Sequence, residues 1–369
     1  MKQVLFPMGG ATTITGRKAR SLFEDPVKCA EAINLVYITD KEAGISRVKK
    51  GNGFAYLMDS KEITDGETLD RIKKLVIPPA WHEVWICALP NGHLQATGVD
   101  TKNRKQYRYH PMWSSLRAQT KFVHLSDFAT ALPGIRKQIK ADLALGGLPV
   151  RKVLATVVAL MDETGIRIGG SAYEKMYGSF GLTTMKDKHV KINGSETIFS
   201  FKGKKGVYHN ISLKNKKLSK IVRQCKDIPG KELFQYLDED GQRKHIDSGM
   251  VNDYIREISG SHFTSKDFRT WVGTSCAVEL FKSAPNCDKE ADIKRTVVEV
   301  IDSVAKRLGN TRTVCRKYYV HPAVIDHYSH GTIGKFFDAV VCDDNGLSAE
   351  ENALIKILGK CNEITALVA

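Results

Sequence analysis

The sequence lacks the motifs with which many enzymes bind phosphate esters. Its 369 residues contain no glycine-rich loop of the Walker type, no HExxH zinc motif and no cluster of carboxylates spaced to hold catalytic magnesium. We therefore predict no metal site and no cofactor. An enzyme that acts on phosphodiesters without these parts needs side-chain cations and a side-chain nucleophile.

Paired cysteines and long apolar runs are also missing. The eight cysteines form no CxxC pair and no Cys/His ladder, which argues against a zinc site or a dense disulfide framework and favours a reducing, cytoplasmic setting. The longest apolar run, residues 153–161, is interrupted by Thr156 and is far too short to cross a bilayer. The amino terminus has no signal-peptide core. No membrane partner is expected.

Positive charge is what the sequence has in excess. Its 56 Lys and Arg residues against 41 Asp and Glu give a net charge of +15. A balance of this kind points to a polyanionic partner, most often nucleic acid, and the alternative is a generally basic soluble protein. The apolar fraction of 42% is ordinary and allows a buried core.

The texture of the sequence changes along the chain and predicts two lobes, because a single core rarely grows beyond about 250 residues. Short apolar runs separated by Gly, Pro and Asn predict a β-rich lobe over residues 35–125, after an N-terminal extension of residues 1–34. Helical periodicity begins near Asp127 and predicts a larger, mostly α-helical lobe over residues 126–369. The predicted fold class is α+β.

Inside the second lobe, two tight turns predict a small antiparallel sheet. Residues 188–192 and 197–201 read as strands joined by Asn193-Gly194, a strong hairpin signal. A second turn at residues 203–206 leads into a third strand over residues 207–213.

Helix signals occupy most of the remainder of this lobe. Pro149 is placed to open a helix, and others begin near Asp247 or Ser248 and near Ser265. A long amphipathic helix ends at Gly309, a C-cap residue. A further helix is expected over residues 349–358.

Cations occur at unusual places in these elements. Arg167 lies in a glycine-flanked loop that closes a helix, where a ligand can approach the backbone or the guanidinium can bind helix-end carbonyls. Lys204 lies at the tip of the second turn, either as a functional group or as a solvated surface charge. In a helix capped by Ser265, Lys266 and Arg269 share one face, which is unfavourable unless an anion or solvent lies between them.

Two adjacent tyrosines, Tyr318 and Tyr319, lie in a cationic segment. Nearby positive charge lowers the free-energy cost of a phenolate and holds a phosphate close to it. The alternative is a pair of core aromatics on a short helix. The cations of this segment are Arg312, Arg316 and Lys317.

Taken together, these residues form a family pattern. The order and spacing of Arg167, Lys204, Lys266-x-x-Arg269, and Gly309-Asn310-Thr311 followed by Tyr319 resemble the type IB DNA topoisomerases, in particular their small bacterial and poxvirus-like branch. The resemblance runs from about Leu35 to His321 and includes residues 95–100 and 105–110. It implies a monomeric enzyme that relaxes positive and negative supercoils in duplex DNA without ATP or metal, in the cytoplasm with the bacterial nucleoid.

The resemblance also implies roles for individual residues. Tyr319 would attack one strand and form a 3'-phosphotyrosyl bond, Arg167 and Arg269 would hold the non-bridging phosphate oxygens, and Lys204 would protonate the leaving 5'-oxygen. Asn310 would donate a hydrogen bond where the poxvirus enzymes have histidine, without bringing a positive charge. Tyr319 is chosen over Tyr318 because it keeps the family's nine-residue step from Asn310.

In this family comparison the first lobe grips DNA, and the two lobes form a clamp around the duplex. On a strand from Arg104 to His110, basic and aromatic side chains alternate between the two faces, which suits a groove and its phosphates, although Tyr107 and Tyr109 could instead be core residues. The predicted DNA-binding residues are Gln95, Thr97, Arg104, Lys105, Tyr107, Arg108, Tyr109, His110, Lys266, Arg312 and Lys317.

Two other classes of protein share parts of this pattern. A tyrosine recombinase or integrase uses the same chemistry, but it typically has His-x-x-Arg where this chain has Lys266 and a helical rather than β-rich first lobe. A non-catalytic DNA-clamping protein would explain the charge, but it would have no reason to keep Tyr319 among these cations.

Overall fold

The computed structural model describes residues 11–15, 22, 25–337, 346–360 and 363–367. The chain divides into a first unit, Met1–His124 with Asn362–Ala369, and a second unit, Leu125–Cys361. As the sequence predicts, the first part of the chain is rich in strands and the body is mostly helical.

The elements are numbered along the chain. The strands are β1 Ala11–Thr15, β2 Gly44–Lys50, β3 Gly53–Met58, β4 Lys61–Glu62, β5 His82–Cys87, β6 Leu94–Val99, β7 Lys105–Tyr109, β8 Val190–Asn193, β9 Glu196–Lys202, β10 Tyr208–Lys214, β11 Gln235–Leu237, β12 Arg243–His245 and β13 Glu363–Leu367. The helices are α1 Pro26–Glu31, α2 Gly66–Lys74, α3 Pro111–Asp142, α4 Val150–Thr164, α5 Ser171–Tyr177, α6 Lys216–Asp227, α7 Ser248–Ser259, α8 Ser265–Ser283, α9 Glu290–Leu308, α10 Arg312–Tyr318, α11 Pro322–Ser329 and α12 Ala349–Gly359.

The first unit is built on a six-stranded antiparallel sheet in the order β4-β3-β2-β5-β6-β7. Helix α2 contributes Ile72 to a core with Ile45, Val84, Ile86 and Ala96 from the sheet. Alternate residues of a strand face opposite sides, so burying one side of the sheet leaves the other side for polar and aromatic groups. Strand β13 pairs with β1, which brings the end of the chain into this unit.

Helix α3 begins earlier than the sequence predicts. It starts at Pro111 rather than near Asp127, and the expected boundary between residues 125 and 126 falls within its 32 residues. The first turn contains aromatic and small polar residues that resemble the preceding strands in composition, so periodicity alone does not reveal it.

The core of the second unit is formed around α4 and α8. Every residue of α4 from Lys152 to Met161 is buried, and α8 is buried on most of its circumference, with Trp271 and Phe268 inaccessible to solvent. A helix that is apolar all round is a central helix. Helix α8 therefore holds its side chains in fixed positions against α4, α9 and α12.

The small antiparallel sheet β8-β9-β10 is confirmed, with a difference at its first turn. Asn193 pairs with Glu196, so the turn residues are Gly194 and Ser195 rather than Asn193 and Gly194. Gly194 supplies the positive φ of 59° that the reversal needs. The Ser195 carbonyl accepts hydrogen bonds from Asn215 N at 3.0 Å and Ser219 Oγ at 2.9 Å, which fixes this register.

The predicted helix ends are close to those observed. Asp247 caps α7, and Gly309 ends α9 with a φ of +57°. The cap of α8 is Thr264 rather than Ser265, because Thr264 and Asp267 form a reciprocal capping box. In the described part of the chain, no helix is long and apolar enough to cross a membrane.

A group of ion pairs joins three helices of the second unit. The Arg136 guanidinium in α3 contacts Asp162 in α4 at 2.7 Å and Glu351 in α12 at 2.7 Å. Glu351 Oε1 also accepts a hydrogen bond from Trp271 Nε1 in α8 at 2.7 Å. The C-terminal helix α12 is thereby attached to the central helix of the unit.

We expect Arg136→Leu to lower the free energy of unfolding by on the order of 3 kcal/mol, because it leaves the carboxylates of Asp162 and Glu351 without their cation. Urea denaturation measures this change. Lys140→Leu makes the same substitution at an exposed position of the same helix and should change stability by less than about 0.5 kcal/mol. Equal losses in the two variants would contradict the role of the ion pairs.

Candidate active site

Four of the predicted site residues meet in the second unit, each at the end or start of a helix or inside one. Arg167 lies in the loop after α4, Arg269 in α8, Asn310 after α9 and Tyr319 directly after α10. We call these four residues the site cluster. The residues come from distant parts of the sequence, and the packing of α4, α8 and α9 brings them together.

Arg167 binds the segment that carries Asn310. Its Nη2 donates to Asn310 Oδ1 at 2.6 Å and lies 3.5 Å from the Gly309 carbonyl oxygen. The backbone around Arg167 is fixed because its carbonyl accepts from Leu182 N at 2.9 Å. Because the Asn310 Oδ1 faces Arg167, the Nδ2 donor of the same amide points away from Arg167.

Arg269 is buried and binds helix-end carbonyls, the behaviour that the sequence offered as an alternative for Arg167. Its two terminal nitrogens donate to the carbonyl oxygens of Gly165, after α4, and Leu308, at the end of α9, the latter at 2.9 Å. Its guanidinium carbon lies 5.3 Å from the centre of the Tyr319 ring. Lys266, three residues earlier in the same helix, is exposed.

The electrostatics of the site cluster suit an anion. Burial, together with the nearby charge of Arg269, lowers the pKa of Arg167 to about 10, and burial also lowers the pKa of Arg269. Arg167 still carries its charge at neutral pH. Among the described residues, Arg269 Nε and Asn310 Nδ2 are buried donors with no acceptor. Buried donors are normally satisfied, so an oxygen-rich ligand fits here.

Tyr319 is held by its backbone as well as by its position beside Arg269. Its amide donates to Cys315 O at 2.9 Å, and its carbonyl accepts from Thr274 Oγ1 at 3.0 Å. A β-carbon on Gly273 would lie 2.7 Å from that carbonyl oxygen, so glycine at this point of α8 permits the close approach. Tyr318 is 40% exposed and lies beside Lys317.

Lys204 lies outside the site cluster in this structure. It is exposed in the turn between β9 and β10, which Gly203 N closes by donating to Val207 O at 2.7 Å. Within the described residues, its ammonium group makes no hydrogen bond or ion pair. The structure therefore leaves this cation directed to solvent.

One residue of the site was missed by reasoning from the sequence. His209 in β10 is buried, its ring stacks on Phe201 with centroids 4.9 Å apart, and burial together with Arg167 and Arg269 lowers its pKa to about 4. One signal was available. Neighbouring side chains of a strand face opposite sides, so His209 faces away from Tyr208 and Asn210, which are both exposed.

In the first unit, three of the predicted DNA-binding residues are buried. Gln95 donates to Gly92 O at 2.7 Å and Pro90 O at 3.0 Å, and Thr97 donates to Asp40 at 2.9 Å. His110 caps the start of α3. Direct DNA contact by Gln95, Thr97 and His110 does not fit this burial, because their polar atoms already bond inside the unit.

The remaining predicted DNA-binding residues of the first unit are exposed. Tyr107 and Tyr109 stack with centroids 6.0 Å apart and planes 7° apart, and each is nearly half exposed, so neither is a core residue. Arg104 pairs with Asp100, Lys105 with Asp40, and Arg108 donates to Val76 O at 2.9 Å. In the second unit, Arg312 pairs with Asp302 and Lys317 is exposed.

Comparison with known proteins gives consistent matches over both parts of the chain. Residues 110–336 match the model of the eukaryotic DNA topoisomerase I catalytic core, and residues 53–100 match the model of the bacterial DNA topoisomerase IB N-terminal domain. The DNA topoisomerase 1B of Acanthamoeba polyphaga mimivirus is 32% identical over 297 residues, 78% of this chain and 88% of the viral protein. The DNA topoisomerase I of monkeypox virus is 24% identical over 250 residues, 67% and 75% of the two chains.

The chain has a β-rich first part and a helical body, and its body matches the catalytic core of a DNA topoisomerase. These features define an isomerase that changes the topology of DNA. Within this class, the chain belongs to the type IB DNA topoisomerase family. The resemblance drawn from the sequence is confirmed, and the family found is neither that of the recombinases nor a non-catalytic DNA clamp.

We expect Gly273→Ala to lower the single-turnover rate of DNA cleavage by about 10- to 100-fold, because the added methyl would meet the Tyr319 carbonyl oxygen at 2.7 Å and displace that tyrosine. Equilibrium DNA binding should change little. Gly134→Ala is the matched control, since no atom of the described residues lies within 4 Å of a β-carbon built at this position of α3. A parental cleavage rate for Gly273→Ala would show that the contact does not position Tyr319.

The stability of the protein should fall as the pH drops from about 6.5 to 4. Burial lowers the pKa of His321 to about 4, and its Nδ1 caps α11 by accepting from Ala323 N at 3.1 Å. The unfolded chain takes up a proton below about 6.5 while the folded chain does not, so the stabilisation present above that pH is lost on acidification.

His321→Asn keeps a capping oxygen without a titrating group, so this variant should lose less stability over the same pH interval. The expected difference is on the order of 1–3 kcal/mol, measured by urea denaturation at pH 7 and pH 4.5. Equal acid sensitivity of parent and variant would assign the loss to other groups.

Proposed function

We propose that this topoisomerase relaxes positive and negative supercoils by breaking one DNA strand transiently, with Tyr319 as the nucleophile. The proposal rests on two buried donors beside a half-buried tyrosine, Arg269 Nε and Asn310 Nδ2, which have no acceptor among the described residues. A scissile phosphate placed there would satisfy both donors and balance the two guanidinium charges.

The reaction is a transesterification at phosphorus. The Tyr319 hydroxyl loses its proton to solvent as its oxygen forms a bond to the phosphorus of the scissile phosphodiester. The bond to the 5'-oxygen breaks, the 5'-oxygen takes up a proton, and a 3'-phosphotyrosine and a 5'-hydroxyl result. Negative charge grows on the non-bridging oxygens, where Arg167, Arg269 and Asn310 donate hydrogen bonds. The phosphotyrosine conserves the phosphodiester energy, so attack by the 5'-hydroxyl restores the strand without ATP.

Lys204 is proposed as the acid that protonates the leaving 5'-oxygen. An alkoxide is a poor leaving group, and a positioned ammonium lowers the barrier by supplying the proton. The support for this role is the exposed Lys204 side chain, which has no partner among the described residues and lies in a turn of the sheet that also carries His209. Bound DNA would bring the leaving oxygen to this turn.

The first unit is proposed to grip the duplex, with the two units acting as a clamp and the protein working as a monomer. The exposed stack of Tyr107 and Tyr109 offers aromatic faces, and Arg104, Lys105 and Arg108 offer cations to the phosphates. In the second unit, Lys266, Arg312 and Lys317 are further phosphate contacts. Binding by such contacts weakens steeply with salt.

Relaxation of plasmid DNA in EDTA without ATP tests the proposal. We expect the parent protein to relax both negatively and positively supercoiled plasmid, Tyr318→Phe to remain active and Tyr319→Phe to be inactive. Activity retained by Tyr319→Phe and lost in Tyr318→Phe would assign the nucleophile to the neighbouring tyrosine. A parent that relaxes neither substrate under these conditions would refute the metal- and ATP-independent mechanism.

A further inference from the structure

His209 occupies an unusual position between two segments that carry proposed catalytic residues. A β-carbon on Gly309, the residue before Asn310, would lie 2.0 Å from His209 Cε1. A β-carbon on Gly203, the residue before Lys204, would lie 2.7 Å from both Cδ2 and Nε2 of the same ring. The imidazole is therefore in direct contact with both backbones.

The ring is also fixed on its remaining side. It stacks on Phe201 in the neighbouring strand β9, with the planes 11° apart. His209 is 8% exposed, and it is close enough to Arg167 and Arg269 for their charges to disfavour its protonation. A neutral, flat ring of this kind acts as a spacer rather than as another cation.

We propose that His209 is a positioning residue that sets the distance between the Lys204 turn and the site cluster. The inference rests on the proposed role of Lys204 as the acid. The Lys204 side chain makes no hydrogen bond or ion pair among the described residues, so its position follows the backbone of its turn, in which Gly203 contacts the His209 ring. The same ring contacts Gly309, which precedes the residue bonded to Arg167.

The test uses two DNA substrates that differ in one atom, the 5'-bridging oxygen or sulfur at the cleavage site. A thiol has a pKa near 8.5, whereas the pKa of water is about 15.7, so a thiolate leaves without a proton from the enzyme. A defect in the acid step therefore disappears with the sulfur substrate. A defect in phosphate binding or in Tyr319 remains.

We expect His209→Ala to cleave the oxygen substrate about 10- to 100-fold more slowly than the parent and the sulfur substrate within about threefold of it. Lys204→Ala should show the same pattern, and His209→Ala in a Lys204→Ala background should cause little further loss, because residues that act as a unit are not additive. Single-turnover cleavage rates give all of these values.

Gly203→Ala tests the same contact without removing the histidine. The Gly203 backbone, with φ −92° and ψ −164°, is open to alanine, so the added methyl acts only through its contacts, of which the ring of His209 is the nearest. This variant should also cleave the oxygen substrate slowly and the sulfur substrate at the parental rate. It keeps the proposal testable if His209→Ala folds poorly.

His189→Ala is the matched control, since His189 is another buried histidine that packs on a phenylalanine. Its ring centroid lies 4.3 Å from that of Phe180. It should affect the two substrates equally. If Lys204→Ala recovers on sulfur while His209→Ala and Gly203→Ala do not, the positioning role is refuted and the acid role of Lys204 stands. If Lys204→Ala does not recover, the acid role fails and the inference fails with it.

Discussion

Arg269 donates to the carbonyl oxygens at the ends of two helices, Gly165 after α4 and Leu308 in α9. The segments that begin at those points carry Arg167 and Asn310, so one buried guanidinium fixes the positions of both segments. The C-terminal ends of helices carry partial negative charge, which offsets part of the cost of burying this cation. The same guanidinium lies against the Tyr319 ring, and the geometry of the whole site follows from it.

The sequence predicted those elements whose signals are local. Gly309 ends α9 and Asp247 caps α7 because each supplies a conformation or a hydrogen bond within one turn of chain. The register of the first turn of the small sheet was one residue off, since it depends on contacts from Asn215 and Ser219, about twenty residues further on. Helix α3 was placed too late because its first turn has no distinctive periodicity.

At the site, the sequence identified residues that the structure brings together, but it did not identify the groups to which they bond. Spacing along the chain could not show that Arg269 is buried while Lys266 is exposed, because burial depends on how α8 packs against α4 and α9. Burial likewise removes Gln95 and Thr97 from the surface, although the family resemblance runs through their strand. His209 escaped notice because its importance comes from two glycines far apart in sequence.

The contact of α12 with the centre of the second unit bears on how the enzyme is made. Glu351 is synthesised after every residue proposed to act on DNA, yet it supplies the carboxylate that Trp271 and Arg136 bind. A nascent chain that has just completed Tyr319 has the proposed nucleophile but lacks this support for the helix that carries Arg269. The core of the second unit is therefore completed only after all the residues of the proposed site have been synthesised.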